Sequence, residues 1–181
     1  MQKHNNFHVI NQNEARLALR EASYNGADFG VEYSDLRLDN TGAIVDNKYA
    51  SVRKDNGLIL GIHSKSYKPL THKQMIDNQR EIIIRSGLAD GSIKETISLD
   101  KTGKKCYVKH DLPNHYLYTP DGDKANLRFL STNSFNGVWA YIVSAGAKQG
   151  ACQNNQLFLN DVATLYKSRH NIHLNLDHAA D

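Results

Sequence analysis

Only two cysteines occur in 181 residues, Cys106 and Cys152. They lie far apart without metal or redox spacing, so both read as buried thiols of a reducing compartment. Prolines number three, and no low-complexity tract interrupts the chain. No apolar run approaches the roughly 20 residues that a membrane-spanning helix needs, so no membrane partner is expected. The opening "MQKHNNFHVINQNEARL" has no apolar core of signal-peptide length, which points to the cytoplasm. Phosphate-cradling glycine loops, a Gly-x-Ser-x-Gly elbow and a His-Glu-x-x-His pair are all missing. The segment "TPDGD" lacks the later ligands and terminal glutamate of a calcium loop and reads as a turn. Nothing therefore recommends an enzyme, and no cofactor or metal is expected.

What is present fits one globular domain spanning 1–181, with the polar residues 1–10 loose. The hydrophobic fraction is 40% and the net charge +3 with nine histidines uncounted. That balance permits a nucleic-acid partner without requiring one.

Local patterns predict an α+β fold: an antiparallel sheet with two or three helices packed on it. "NEARLALREA" reads as a helix with Asn13 as its cap, and "VEYSDLRL" as a strand whose apolar phase changes near Leu36. "NKYASVRKDNGLILGIHSKSYKPL" reads as two strands about Asn56-Gly57. In "LTHKQMIDNQREIIIRSG", Thr71 and Gln74 have capping-box spacing, Leu70 and Met75 that of a hydrophobic staple, and Gly87 suits a left-handed terminator. The spacing predicts a helix over 72–86, with Ile82 and Ile83 as its apolar knob. Four strands are placed at 57–64, 103–109, 126–132 and 138–145, the last two as a hairpin across Asn136-Gly137 with Trp139 largely buried. "NDVATLYKSRH" reads as a short helix.

Two groups of residues carry the chemistry the sequence offers. Lys101, Lys104, Lys105 and Lys109 crowd one predicted hairpin, and Lys65, Lys68 and Lys73 crowd a strand-helix corner. Tyr67, Tyr107, Tyr116 and Tyr118 sit among them. Lysines neutralise phosphates and tyrosines offer stacking platforms for unpaired bases, although a solvated basic face has the same composition. Alternation along a strand puts Lys105, Tyr107 and Lys109 on one face. The second group is Cys152, Gln153, Asn154 and Asn155, a polar cluster closing the strand, with His170 the nearest base for the thiol. The tail's His170, His173, Asp177 and His178 fit no standard metal spacing.

Taken in order, "LGIHSKSYKPLTHKQMID", "GSIKETISLDKTGKKCYVKHDLP", "LRFLSTNSFNGVWAYIVSAGAKQGACQNNQLF" and "KSRHN" resemble the phage/plasmid-like "domain of unknown function 932" family. The first is similar to its strand leading through Tyr-Lys-Pro into a helix. The second is similar to its next hairpin. The last two resemble its strand-turn-strand element and the Arg-His that follows. The likeness covers roughly residues 57–171. Phe135 stands where members often have His or Tyr, and Lys148 or Gln149 where an Arg commonly precedes the cysteine. Members usually run longer, so "HLNLDHAAD" reads as a shortened or divergent end. The resemblance implies a mobile-element setting, a phage genome, and brings no activity with it.

Two functions follow as expectations. In the first, a phage accessory protein binds nucleic acid, for instance single strands in replication or recombination, through Lys104, Lys105, Lys109, Tyr107, Tyr116, Lys65 and Lys68. In the second, it binds and blocks a host defence complex such as a CRISPR effector. Assembly of identical copies is compatible with either.

Overall fold

The computed structural model describes residues 2–6, 11–118, 122–149 and 163–168. Nine strands and two helices run through them in the order β1 Gln2–Asn6, α1 Gln12–Glu21, β2 Val31–Arg37, β3 Ile44–Arg53, β4 Ile59–Ser64, α2 His72–Arg85, β5 Lys94–Leu99, β6 Lys105–Tyr118, β7 Lys124–Ser134, β8 Tyr141–Gln149 and β9 Ala163–Ser168. Six strands form one antiparallel sheet, ordered β1-β5-β6-β7-β8-β9, and β2-β3-β4 form another. The α+β class holds, with strand dominating, but the expected single sheet is two, because β4, placed with the other three predicted strands, pairs with β3 in the small sheet.

Helix α2 forms where its letters say it should. The Thr71 hydroxyl accepts from the Gln74 backbone N–H, and the Gln74 side chain accepts in return from the Thr71 N–H. The helix ends at Gly87, whose φ of 71° is the left-handed conformation that glycine adopts without strain. Its inner side buries Met75, Ile76 and Ile83. Period-two alternation in β6 supplies the opposing surface: Cys106, Val108, His110 and Leu112 are buried, whereas Tyr107, Lys109 and Asp111 turn to the other face half-buried. Ile97, Phe129, Tyr141 and Val143 complete the core, and α1 packs onto α2 through Leu19. Burial pushes the Cys106 thiol up to about 12, with Asp100 adding to it, so this cysteine is inert at neutral pH.

Several expectations are corrected. Gln2–Asn6, within the segment expected to be loose, pairs along β5 as an edge strand. The α1 cap is Asn11, which accepts from the Glu14 N–H, not Asn13. The predicted tail helix is β9, paired with β8, because the free edge of β8 offers a full row of backbone partners that outweighs helix propensity. The strand expected over 138–145 begins at Tyr141, and the connection is the loop 135–140, not a two-residue turn. Ser134 Oγ closes that loop, accepting from the Trp139 N–H at 2.8 Å. Trp139 is half-buried instead of core. The apolar phase change in β2 is a register shift between Asp35 and Arg37. No helix among the described residues is long and apolar enough to cross a membrane.

Candidate functional site

Two hairpin turns, the small sheet and the start of α2 meet at one end of the large sheet. The Phe135 N–H donates to the Lys104 carbonyl at 2.9 Å, tying the loop 135–140 to the turn before β6. Phe135 is buried, with its ring 4.6 Å from that of His72 and 5.9 Å from that of Phe29. His72 Nε2 donates to the Gly103 carbonyl (2.9 Å). Its Nδ1 accepts from Asn133 Nδ2 (3.0 Å), so the ring is held on both sides. Gly103 has φ 76°, and a side chain there would meet the Arg53 guanidinium and the Phe29 ring. Gly61 of β4 lies against the Phe135 carbonyl and the His63 ring, which locks the small sheet to the same loop.

Between these parts runs an open cleft of about 780 Å³. Residues 62–64, 66 and 67 line one wall, and residues 136–140 line the other. An aromatic series backs the first wall. Tyr33 meets Tyr49 edge-on at 5.6 Å, Tyr49 meets His63 at 5.4 Å, and His63 stacks on Tyr67 at 4.1 Å with 9° between planes. The Tyr49 hydroxyl donates to the Tyr67 carbonyl (2.7 Å), and the Tyr67 hydroxyl donates to the Ser134 carbonyl (3.2 Å). Burial pushes the Tyr67 phenol well up, so it stays a donor across the usual pH range.

Ser51 Oγ lies 2.9 Å from His63 Nε2 and donates to the Gly61 carbonyl at 3.3 Å. With no exposed surface on Ser51, this pair is a tie between β3 and β4 and presents no nucleophile to the cleft. Burial holds His63 below its ordinary value of 6.5. Neutral His63 therefore favours the folded state above that value, and the contribution is lost as pH falls below it. Thermal unfolding of the wild type should lose more between pH 7 and pH 5 than that of His63→Gln. Equal losses would mean that His63 titrates normally.

The predicted basic residues divide into groups. Lys65 and Lys68 are exposed beside Ser66 and Tyr67 of the first wall. Lys105 Nζ sits 5.3 Å over the Trp139 ring of the second wall, and Lys104 lies next to it in the turn. Tyr107 follows on the same face. Lys109 belongs to that face too, but its Nζ is 3.6 Å from Asp111, which also takes the buried Arg128 guanidinium. Its charge is largely spoken for. Tyr116 is not part of this end, because it pairs with Asn126, eight positions along β7 from the Ser134 that pairs with Lys105. That is roughly 26 Å at the rise of a strand.

Cys152, Gln153, Asn154, Asn155 and His170 lie outside the described residues, as do His173, Asp177 and His178. Among the described residues no group of three His, Cys, Asp or Glu side chains could hold a metal ion. Sequence reasoning passed over His63 and assigned Trp139 to the core. The signal for His63 was there: Tyr49, Ser51 and His63 share one face once Asn56-Gly57 pairs β3 with β4.

Both walls of the cleft fall within residues 59–180, which match the family described as "Domain of unknown function (DUF932)". The chain belongs to that family. No curated protein and no solved structure matches it. The match begins at the first residue of β4, so in this DUF932 chain α1, β2 and β3 precede the matched part, while the cleft walls, α2 and the strands from β4 onward are inside it.

Proposed function

We propose that this protein binds nucleic acid and takes an unpaired strand at the cleft between the β4–α2 segment and the loop 135–140. One observation carries the reading. Lys105 Nζ lies 5.3 Å over the Trp139 ring of one wall, with Lys104 before it in the chain, and the exposed Lys65 and Lys68 are chain neighbours of Ser66 and Tyr67 in the opposite wall. Flexible ammonium groups suit phosphates, and ring faces suit bases exposed only in single strands. The mildly positive total charge of +3 fits a modest electrostatic share of affinity. A phage setting and a role in replication or recombination go with this reading.

Binding of single-stranded and duplex oligonucleotides at two salt concentrations tests it. Trp139→Ala should cost about 1–3 kcal/mol of single-strand affinity. Lys105→Ala should reduce the salt slope by about 0.7 and leave a loss that nearly vanishes at high salt. Absence of affinity at low salt, or affinity indifferent to both changes, would overturn the proposal. The beneficiary would be binding to a host defence complex. Exposed Ile62 and Val138, one in each wall of the cleft, favour this second reading.

A further inference from the structure

We propose that the far end of the β6–β7 hairpin is a second stacking station for the same strand, so that the ligand is a single-stranded segment of roughly eight nucleotides. This rests on the reading of the cleft as a nucleic-acid site. Strand β6 carries a bulge. Leu112 pairs with Leu127 and Tyr116 pairs with Asn126, so Pro113, Asn114 and His115 are extra residues on β6. Proline has no N–H to give a ladder, which makes this a natural place for the register to break. The shift changes which way the following residues face. In an uninterrupted strand Tyr116 and Tyr118 would share the α2 side with Leu112. Paired instead with Asn126 and Lys124, they turn to the side that carries Lys105, Tyr107 and Lys109.

There they are presented for contact. Tyr116 is 41% exposed and Tyr118 65% exposed. Their rings meet edge-on at 5.5 Å, and Lys124 Nζ lies 4.4 Å above Tyr116. Two rings and a cation at one spot match a stacked base with its phosphate. Between the two stations Asp111 engages both the Lys109 ammonium and the buried Arg128 guanidinium, so neither cation is free to turn to a phosphate. Affinity should therefore concentrate at the two ends. Their separation of about 26 Å along β7 corresponds to roughly eight nucleotides at a stacked rise of about 3.4 Å.

The test is equilibrium binding of oligothymidylates of about 4, 6, 8, 12 and 16 nucleotides to the full chain, chosen to bracket this length. Wild type should show a step near eight, of roughly 5- to 150-fold, beyond the gentle rise due to the number of registers. Tyr116→Ala with Tyr118→Ala should remove the step and leave the shortest oligomers unchanged. Both residues are exposed, so a matching circular dichroism spectrum and melting temperature are expected of the variant. A wild type without a step, or a variant weakened equally at every length, overturns the second station while leaving the cleft in place. A wild type that binds at no length removes the cleft reading and this inference together.

Discussion

Arg80→Met should cost this fold about 3–5 kcal/mol, the loss expected when one partner of a buried ion pair is removed. The side chains of Arg80 and Glu95 are 1% and 0% exposed. The guanidinium donates twice to the carboxylate, Nε to Oε2 and Nη2 to Oε1, both at 2.8 Å. Tyr24 lies against the guanidinium at 4.8 Å, and His110 Nε2 is 2.8 Å from Glu95 Oε2. Burial alone would raise the Glu95 carboxyl, but hydrogen bonds from Arg80 and His110, with their charges, hold it at about 2. Because that is below the unfolded value near 4.5, the group stabilises the fold above 4.5, and the contribution is lost as pH falls from there towards 2. Without Arg80 the carboxylate keeps its burial and loses its main partner. Urea unfolding at neutral pH should show the loss as a lower midpoint at constant slope, and acid unfolding should begin at higher pH. Adding Glu95→Gln should restore part of the stability, since the stranded charge is then gone. A loss under about 1 kcal/mol would mean that the pair is hydrated in solution.

This ion pair also shows where letters stop being informative. Arg80 and Glu95 look like ordinary surface charges in "NQREIII" and "SIKETIS"; only the seating of α2 on β5 makes them interior. Features set by neighbours in sequence were legible: the Thr71–Gln74 box, the alternation of β6, the Asn56-Gly57 turn and the α+β class. Features set by a free edge were not. "QKHNN" has no apolar alternation, and it is a strand because β5 offers it a row of backbone partners. The cleft belongs to the same class of information. Its second wall is tied to the β6 turn by the Phe135–Lys104 hydrogen bond and to the first wall by the Tyr67–Ser134 bond, which link residues 31 and 67 positions apart. The basic residues could be named from sequence, but their division into a cleft group and a distant hairpin tip depends on the bulge at Pro113.

Ile83→Ala should destabilise the protein by about 2–5 kcal/mol, the range for emptying a packed aliphatic site. Ile83 is 0% exposed, whereas its neighbours Ile82 and Ile84 are each 6% exposed. It belongs to the cluster in which α2 meets Ile97, Cys106 and Val108, so truncation leaves a space bounded by a helix and a sheet. Neither element can close that space without moving, because α2 is fixed at its start by the capping box and by His72, and across its middle by Arg80 and by Asn78 bonded to the Tyr141 hydroxyl. A rigid surround favours the upper part of the range. Ile83 lies eleven residues from His72, about 16 Å along the helix, so the cleft should keep its geometry while the variant is folded. Two measurements separate these effects. Urea unfolding should show the full loss, and oligonucleotide affinity well below the melting temperature should stay at the wild-type level. A stability loss under about 1 kcal/mol would place Ile83 at a loose boundary instead of in the core. Equal stability with lost affinity would make that side of α2 part of the ligand surface, and the cleft would have to be sought elsewhere.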